Sequence, residues 1–138
     1  MSGHATIHDD CVTAFNKISK RPQKIPYAIF KLDAEFKNVV LEKEGKKEDT
    51  HDDFMAAFDH DEPRFAIYDF KWDRDDGRKG TCIFFVLYVP ESVSEVAMKF
   101  SYANNKDAIK AKCQPLNKDM NINDKQDFSF ENFKDEAE

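Results

Sequence analysis

The sequence predicts an α+β domain in which a central mixed β-sheet is flanked by helices on both faces. Three observations lead there. Arg64–Trp72, RFAIYDFKW, alternates between two apolar sets, Phe65 and Ile67 against Ala66, Tyr68, Phe70 and Trp72, as a strand does. Thr81–Val89, TCIFFVLYV, is almost wholly apolar, as expected of a strand covered on both faces. Between such runs the apolar spacing changes to three and four residues. The resulting order is helix, two strands, helix, two strands, long helix, strand, helix, which needs a sheet with helices packed against it. At 138 residues the chain suits one domain spanning 1–138, without repeat or linker.

Taken in order, residues 1–8 are small and polar and read as a loose arm. Asp9 and Asp10 then open CVTAFNKISKR, whose acidic start and basic end suit a helix dipole, and Pro22 stops it. Pro26–Asp33 alternates as a strand, and Asn38–Glu44 is its partner across the turn at Ala34–Lys37. Gly45–Thr50 is a charged loop. Thr50 or Asp52 caps a short helix with Phe54, Ala57 and Phe58 on one face. Asp73–Gly80, with its Asp-Gly pair, is the hairpin loop between the two longest strands. After Pro115, Met120–Asn123 is a weak strand. Residues 129–138 form a short acidic helix and tail, with Phe130 and Phe133 turned inward.

Glu91–Cys113 reads as a helix, a soft spot at Asn104-Asn105, and a second short helix. Val93, Val96, Ala97 and Phe100 make one apolar stripe at i, i+3, i+4 and i+7. Such a stripe either faces the core or is laid into a partner's groove, and periodicity alone does not choose.

Composition narrows the function. Apolar residues make up 41% of the chain, including thirteen Phe, so a real core is available and disorder is excluded. The net charge of −6 argues against broad nucleic-acid binding. Cys11, Cys82 and Cys113 have no CxxC spacing and read as reduced, buried thiols in an intracellular compartment. No signal sequence or membrane span is apparent. Three triplets, His8-Asp9-Asp10, His51-Asp52-Asp53 and His60-Asp61-Glu62, offer metal ligands or acid–base groups for a small metal-dependent hydrolase. Two of them sit where helices begin, where carboxylates are stabilised by free backbone N–H groups, and none has zinc-site spacing. Catalysis, cofactor and metal are therefore not expected. Lys99, Lys106, Lys110 and Lys112 form the one basic cluster with a plausible partner, an anionic surface or lipid headgroup.

With these residues in view the chain resembles the actin-depolymerising factor/cofilin family over nearly its whole length. The matching pieces are CVTAFN at Cys11–Asn16, YAIFKLD and VVLEKEG within 27–45, DDFMAAF, RFAIYDFKW, IFFVLYVPES and above all KFSYANNKDAIK at Lys99–Lys110. The resemblance implies a cytoplasmic, cytoskeletal, monomeric protein that is not an enzyme and binds monomeric and filamentous actin. Its monomer-binding surface would comprise Ser2, Gly3, Val96, Ala97, Lys99, Phe100, Asn104 and Lys106, with the helix stripe facing outward. Its filament surface would comprise Arg78, Lys79 and Lys134. Ser2 would be a regulatory phosphorylation site, and Lys99, Lys106, Lys110 and Lys112 would meet phosphoinositides.

The departures from the family pattern are specific. Ala97 stands where a lysine is usual, Phe100 where a methionine is, and Asn104-Asn105 where a serine pair is. The final helix reads Lys134-Asp135-Glu136 in place of basic residues. These predict monomer binding with weakened filament binding and severing. Glu62-Pro63-Arg64-Phe65 and Asp75-Asp76-Gly77-Arg78 are also similar to the glia-maturation-factor branch, which acts on branched actin junctions.

Overall fold

A computed structural model describes residues 5–58 and 61–138. Six strands run in the spatial order β1-β3-β2-β4-β5-β6. They are β1 (Thr6–Ile7), β2 (Tyr27–Leu32), β3 (Asn38–Glu44), β4 (Arg64–Asp73), β5 (Lys79–Tyr88) and β6 (Lys118–Ile122). The inner pairs are antiparallel, whereas β1 on β3 and β6 on β5 are parallel, so the sheet is mixed as expected.

The alternation within the central strands assigns each side chain to a face. Phe65 and Ile67 of β4 with Phe85 and Leu87 of β5 join one core cluster. Ala66, Tyr68, Phe70 and Trp72 with Phe84, Val86 and Tyr88 join the other. Helices α1 (Asp9–Ser19) and α3 (Val96–Lys112) cover the first face. Helix α2 (His51–Ala56), the 3₁₀ turn Lys125–Phe128 and helix α4 (Phe130–Ala137) cover the second. That second face is a cluster of rings: Phe54 stacks on Tyr68 at 4.0 Å, while Phe128 and Phe133 are fully buried. Each buried Phe contributes roughly 1.5–3 kcal/mol of transfer free energy.

Local chemistry sets the ends of the elements. Thr50 caps α2 in a reciprocal capping box with Asp53. His8 caps α1, its ring accepting from the Asp10 N–H at 3.1 Å. The β4–β5 hairpin turns over Arg74–Arg78, with Gly77 at φ +85°. It is tighter than the Asp73–Gly80 loop the sequence suggests, because Gly80 still pairs with Trp72. A Cβ on Gly80 would lie 2.5 Å from the indole, so glycine lets that ring lie flat across the strand.

Three expectations change. Residues 5–8 do not belong to a loose arm: Ala5 is buried and β1 pairs with β3, through Thr6 N–H to Lys37 O and His8 N–H to Val39 O, each at 2.9 Å. The Asn104-Asn105 pair does not interrupt α3, which runs unbroken for 17 residues. Phe130 is only half inward: it packs on His51 and Phe70 yet stays 39% exposed.

Candidate interaction surface

Helix α3 is held by its inner side. Tyr102, Asn105 and Ile109 are buried, and Tyr102 packs on Phe65 at 4.9 Å. The Tyr102 hydroxyl accepts from the Leu32 N–H at 3.0 Å, fastening the helix across to β2. Burial raises the pKa of that phenol, keeping it neutral. With this side fixed, the 3.6-residue period turns Val96, Ala97, Phe100 and Asn104 outward. Val96 is 75% exposed and Phe100 66%, and Ala97 and Asn104 are exposed as well. Val93, in contrast, leaves the stripe. It precedes the helix, which begins at Val96, and its side chain is buried.

The lysines divide between two flanks. Lys99, Lys106 and Lys110 follow one another at spacings of seven and four residues and form one row. Lys110 is tied to Asp119 of β6. Lys112 is roughly 200° around the helix from Lys110, on the opposite flank, so the four-lysine cluster does not form a single patch.

The hairpin and α4 make a second exposed region. Arg78 and Lys79 are exposed, but Arg78 is paired with Asp76 at 2.8 Å and Lys79 with Asp73. Lys134 is half-buried on an α4 that also carries Glu131, Asp135 and Glu136. Trp72 joins the two parts: its indole N–H donates to the Glu138 carboxylate at 3.0 Å, and the Arg74 guanidinium lies 5.6 Å over its ring. Ser2 and Gly3 lie outside the described residues.

The groups that suggested chemistry have structural partners. His51 lies between the Tyr68 hydroxyl, 3.0 Å from Nδ1, and the Phe128 carbonyl, 2.6 Å from Nε2. This pair of contacts selects the neutral tautomer with the proton on Nε2. Burial pulls its pKa down, against the Phe128 hydrogen bond and the nearby Asp52 charge. His60 lies outside the described residues. Among the described residues no three His, Cys, Asp or Glu side chains converge on a common metal position. Burial pushes the Cys11 thiol up to about 12 and the Cys113 thiol up to about 11, so both stay protonated. Asp69, buried in β4, was not singled out by the sequence. It accepts from Gln23 at 2.6 Å and Thr81 at 2.5 Å, with Arg21 at 3.5 Å. Its position in an otherwise apolar alternation is the one signal that marks it. No described helix is long and apolar enough to cross a membrane.

Known proteins share this architecture. The family described as cofilin/tropomyosin-type actin-binding protein matches residues 4–138. An actin-depolymerizing factor of Brassica napus is 33% identical over 129 residues, which is 94% of this chain and 98% of that protein. The crystal structure of Streptomyces griseoflavus cofilin superposes with a TM-score of 0.86 at 28% identity, covering 96% of each chain. The solution structure of a Caenorhabditis elegans glia maturation factor superposes with a TM-score of 0.74 at 20% identity, covering 96% of this chain and 94% of that one. At that identity the last likeness is one of fold.

Proposed function

We propose that this chain, which belongs to the family of cofilin/tropomyosin-type actin-binding proteins, binds actin monomers through the outer face of α3 and filament sides more weakly through the hairpin and α4. The observation that carries this reading is the pairing of Val96 and Phe100, 75% and 66% exposed, one turn apart on a helix anchored by its other side. Scattered apolar residues on a surface need no explanation, but an aligned pair on one helix is how a helix-in-groove contact is built. Val96 and Phe100 enter an apolar cleft of the actin subunit, and Lys99 and Lys106 line the adjoining flank against its acidic surface. Binding that differs between filament conformations promotes disassembly.

The hairpin and α4 support only a weak filament contact and weak severing. Arg78 and Lys79 each meet a carboxylate of their own loop, and Lys134 stands among acids. Charges at a contact rim chiefly set association rate and salt dependence, so prior neutralisation weakens docking. Phosphorylation of Ser2 would add negative charge to the monomer site, and Lys99 and Lys106 would meet phosphoinositide headgroups, with Lys110 already matched by Asp119. The similarity of Glu62-Pro63-Arg64-Phe65 and Asp75-Asp76-Gly77-Arg78 to the glia-maturation-factor branch adds no separate reading, since the solved likeness to that branch is one of fold alone. A monomer-binding titration beside co-sedimentation with filaments tests the proposal: tight monomer binding with weak pelleting supports it. Absence of monomer binding overturns it.

A further inference from the structure

We propose that a basic hollow at the C-terminal end of α1 is a binding site for a small anion carrying several linked phosphate groups. It is separate from the α3 surface and does not depend on the function read there.

The hollow grows out of the helical period. Cys11, Ala14, Phe15 and Ile18 are the buried residues of α1. Thr13, Asn16, Lys17 and Lys20 fall at i, i+3, i+4 and i+7 and form a polar stripe outside that core. Beyond the helix the chain turns back, and the Lys24 N–H bonds the Lys17 carbonyl at 3.0 Å. This brings Arg21 and Lys24 to the end of the stripe. Together with Pro22 these six residues line a hollow of about 420 Å³, within the usual size range of small-ligand sites. Neither a carboxylate nor an aromatic ring is among the described residues of its wall.

Basic residues are stabilised at a helix C-terminus, where the last carbonyls lack partners. Here those carbonyls are bonded by other groups. The backbone N–H of Lys20 takes the Asn16 carbonyl, and the side chains of Arg21 and Gln23 take that of Ile18 at 3.3 and 3.0 Å. The ammonium groups of Lys20 and Lys24 are exposed, and neither has a partner among the described residues. Lys17 meets Glu44 at 3.0 Å, and Arg21 shares the buried Asp69 with Lys71. Four cations against two carboxylates leave an excess of two positive charges, in a chain whose net charge is −6. Charges farther than about 8 Å are largely screened at physiological salt, so this local excess governs what binds.

The wall selects the class of ligand. Lysine holds phosphate as a point charge, and the Thr13 hydroxyl and Asn16 amide add neutral donors. Without an aromatic ring there is no platform on which a nucleobase could stack. Contacts to exposed lysines are individually weak, so one phosphate meeting one or two of them binds poorly. Linked phosphates meet several cations at once, and every contact after the first is intramolecular.

The test is calorimetric titration of the full chain with tripolyphosphate, with inorganic phosphate alongside. Tripolyphosphate should bind one-to-one and at least about tenfold more tightly than inorganic phosphate. Lys20→Gln with Lys24→Gln should weaken it about tenfold, roughly threefold per lysine. Both lysines are exposed, so these changes leave the fold intact. Lys99→Ala with Lys106→Ala should leave tripolyphosphate binding within about twofold of the parent. Flotation with phosphoinositide vesicles should show the reverse, reduced by the α3 pair and unchanged by the α1 pair, which assigns the hollow to a free anion. No saturable tripolyphosphate binding, or equal losses in the two double variants, overturns the inference. Flotation that falls with the α1 pair gives the phosphates to a lipid headgroup and overturns a free ligand. The function proposed above fails on a different result, absence of monomer binding.

Discussion

Arg78 and Asp76 close on each other within the hairpin: the guanidinium Nε and Nη2 reach one carboxylate oxygen at 2.9 and 2.8 Å, and the Arg78 N–H bonds the other oxygen at 3.0 Å. The Asp76 carboxyl is held below its usual range by this contact, led by the Arg78 side chain. The charge that the proposed filament contact would use is thus already matched by its own loop.

Freeing that charge should strengthen filament binding. Asp76→Asn with Asp73→Asn releases Arg78 and Lys79, and Asp135→Arg with Glu136→Lys makes α4 basic. Each pair should raise the pelleted fraction in co-sedimentation, most strongly at low salt, where screening is weakest. An unmodified protein that severs labelled filaments vigorously at low occupancy would show that the acidic residues matter less than argued.

Phe100→Ala should weaken monomer binding by about 2 kcal/mol, near thirtyfold, as truncation of an interfacial anchor does. At 66% exposure the same change should alter folding stability by no more than about 0.5 kcal/mol. A large fall in melting temperature with unchanged affinity would mean that the ring belongs to the core.

The division of the lysines predicts a selective lipid effect. Lys99→Ala and Lys106→Ala should each reduce flotation with phosphoinositide vesicles, by about 1 kcal/mol per residue, whereas Lys112→Ala on the opposite flank should not. Equal losses at all three positions would point to diffuse charge attraction.

His51 should make stability depend on pH. Its folded pKa lies below the usual 6.5, so the folded state takes up the proton less readily than the unfolded chain. The associated stability is complete above 6.5 and is lost as pH falls from there through the lowered folded value. Melting temperatures measured from pH 7.5 to 4.5 should fall through this range. The fall should be shallower in His51→Gln, which keeps a neutral N–H donor but cannot take up a proton in this range. Parallel curves for the two proteins would assign the effect to other groups.

Much of the fold was legible because its strands are punctuated. Pro26, Pro63, Gly77 and Pro90 bracket runs whose alternation matches the two core clusters residue by residue. What stayed hidden depends on long-range partners. A two-residue strand such as β1 has no period to read; it exists because β3 offers it a free edge. Asn104-Asn105 reads as a helix break because asparagine bonds backbone locally in other conformations. The Ala5 N–H gives Asn105 a reason to stay helical, and that partner lies one hundred residues away. Val93 continues the periodic stripe on paper, but a period does not fix where a helix starts. In the site, the outward turn of Val96 and Phe100 becomes evident only once Tyr102 and Ile109 are seen to fill the inner side.

Trp72 is the chain's only tryptophan, and it is wedged where β4, Gly80 and Glu138 meet. The β4–β5 register puts it at the hairpin end of the sheet, while Val96 follows from the other end, where Arg64 faces Tyr88. Biosynthetic incorporation of 5-fluorotryptophan would therefore give one fluorine resonance, responsive to occupancy of the hairpin and α4 and insensitive to a ligand confined to the start of α3. The protein carries its own single-site spectroscopic label for telling which of the two proposed surfaces is engaged.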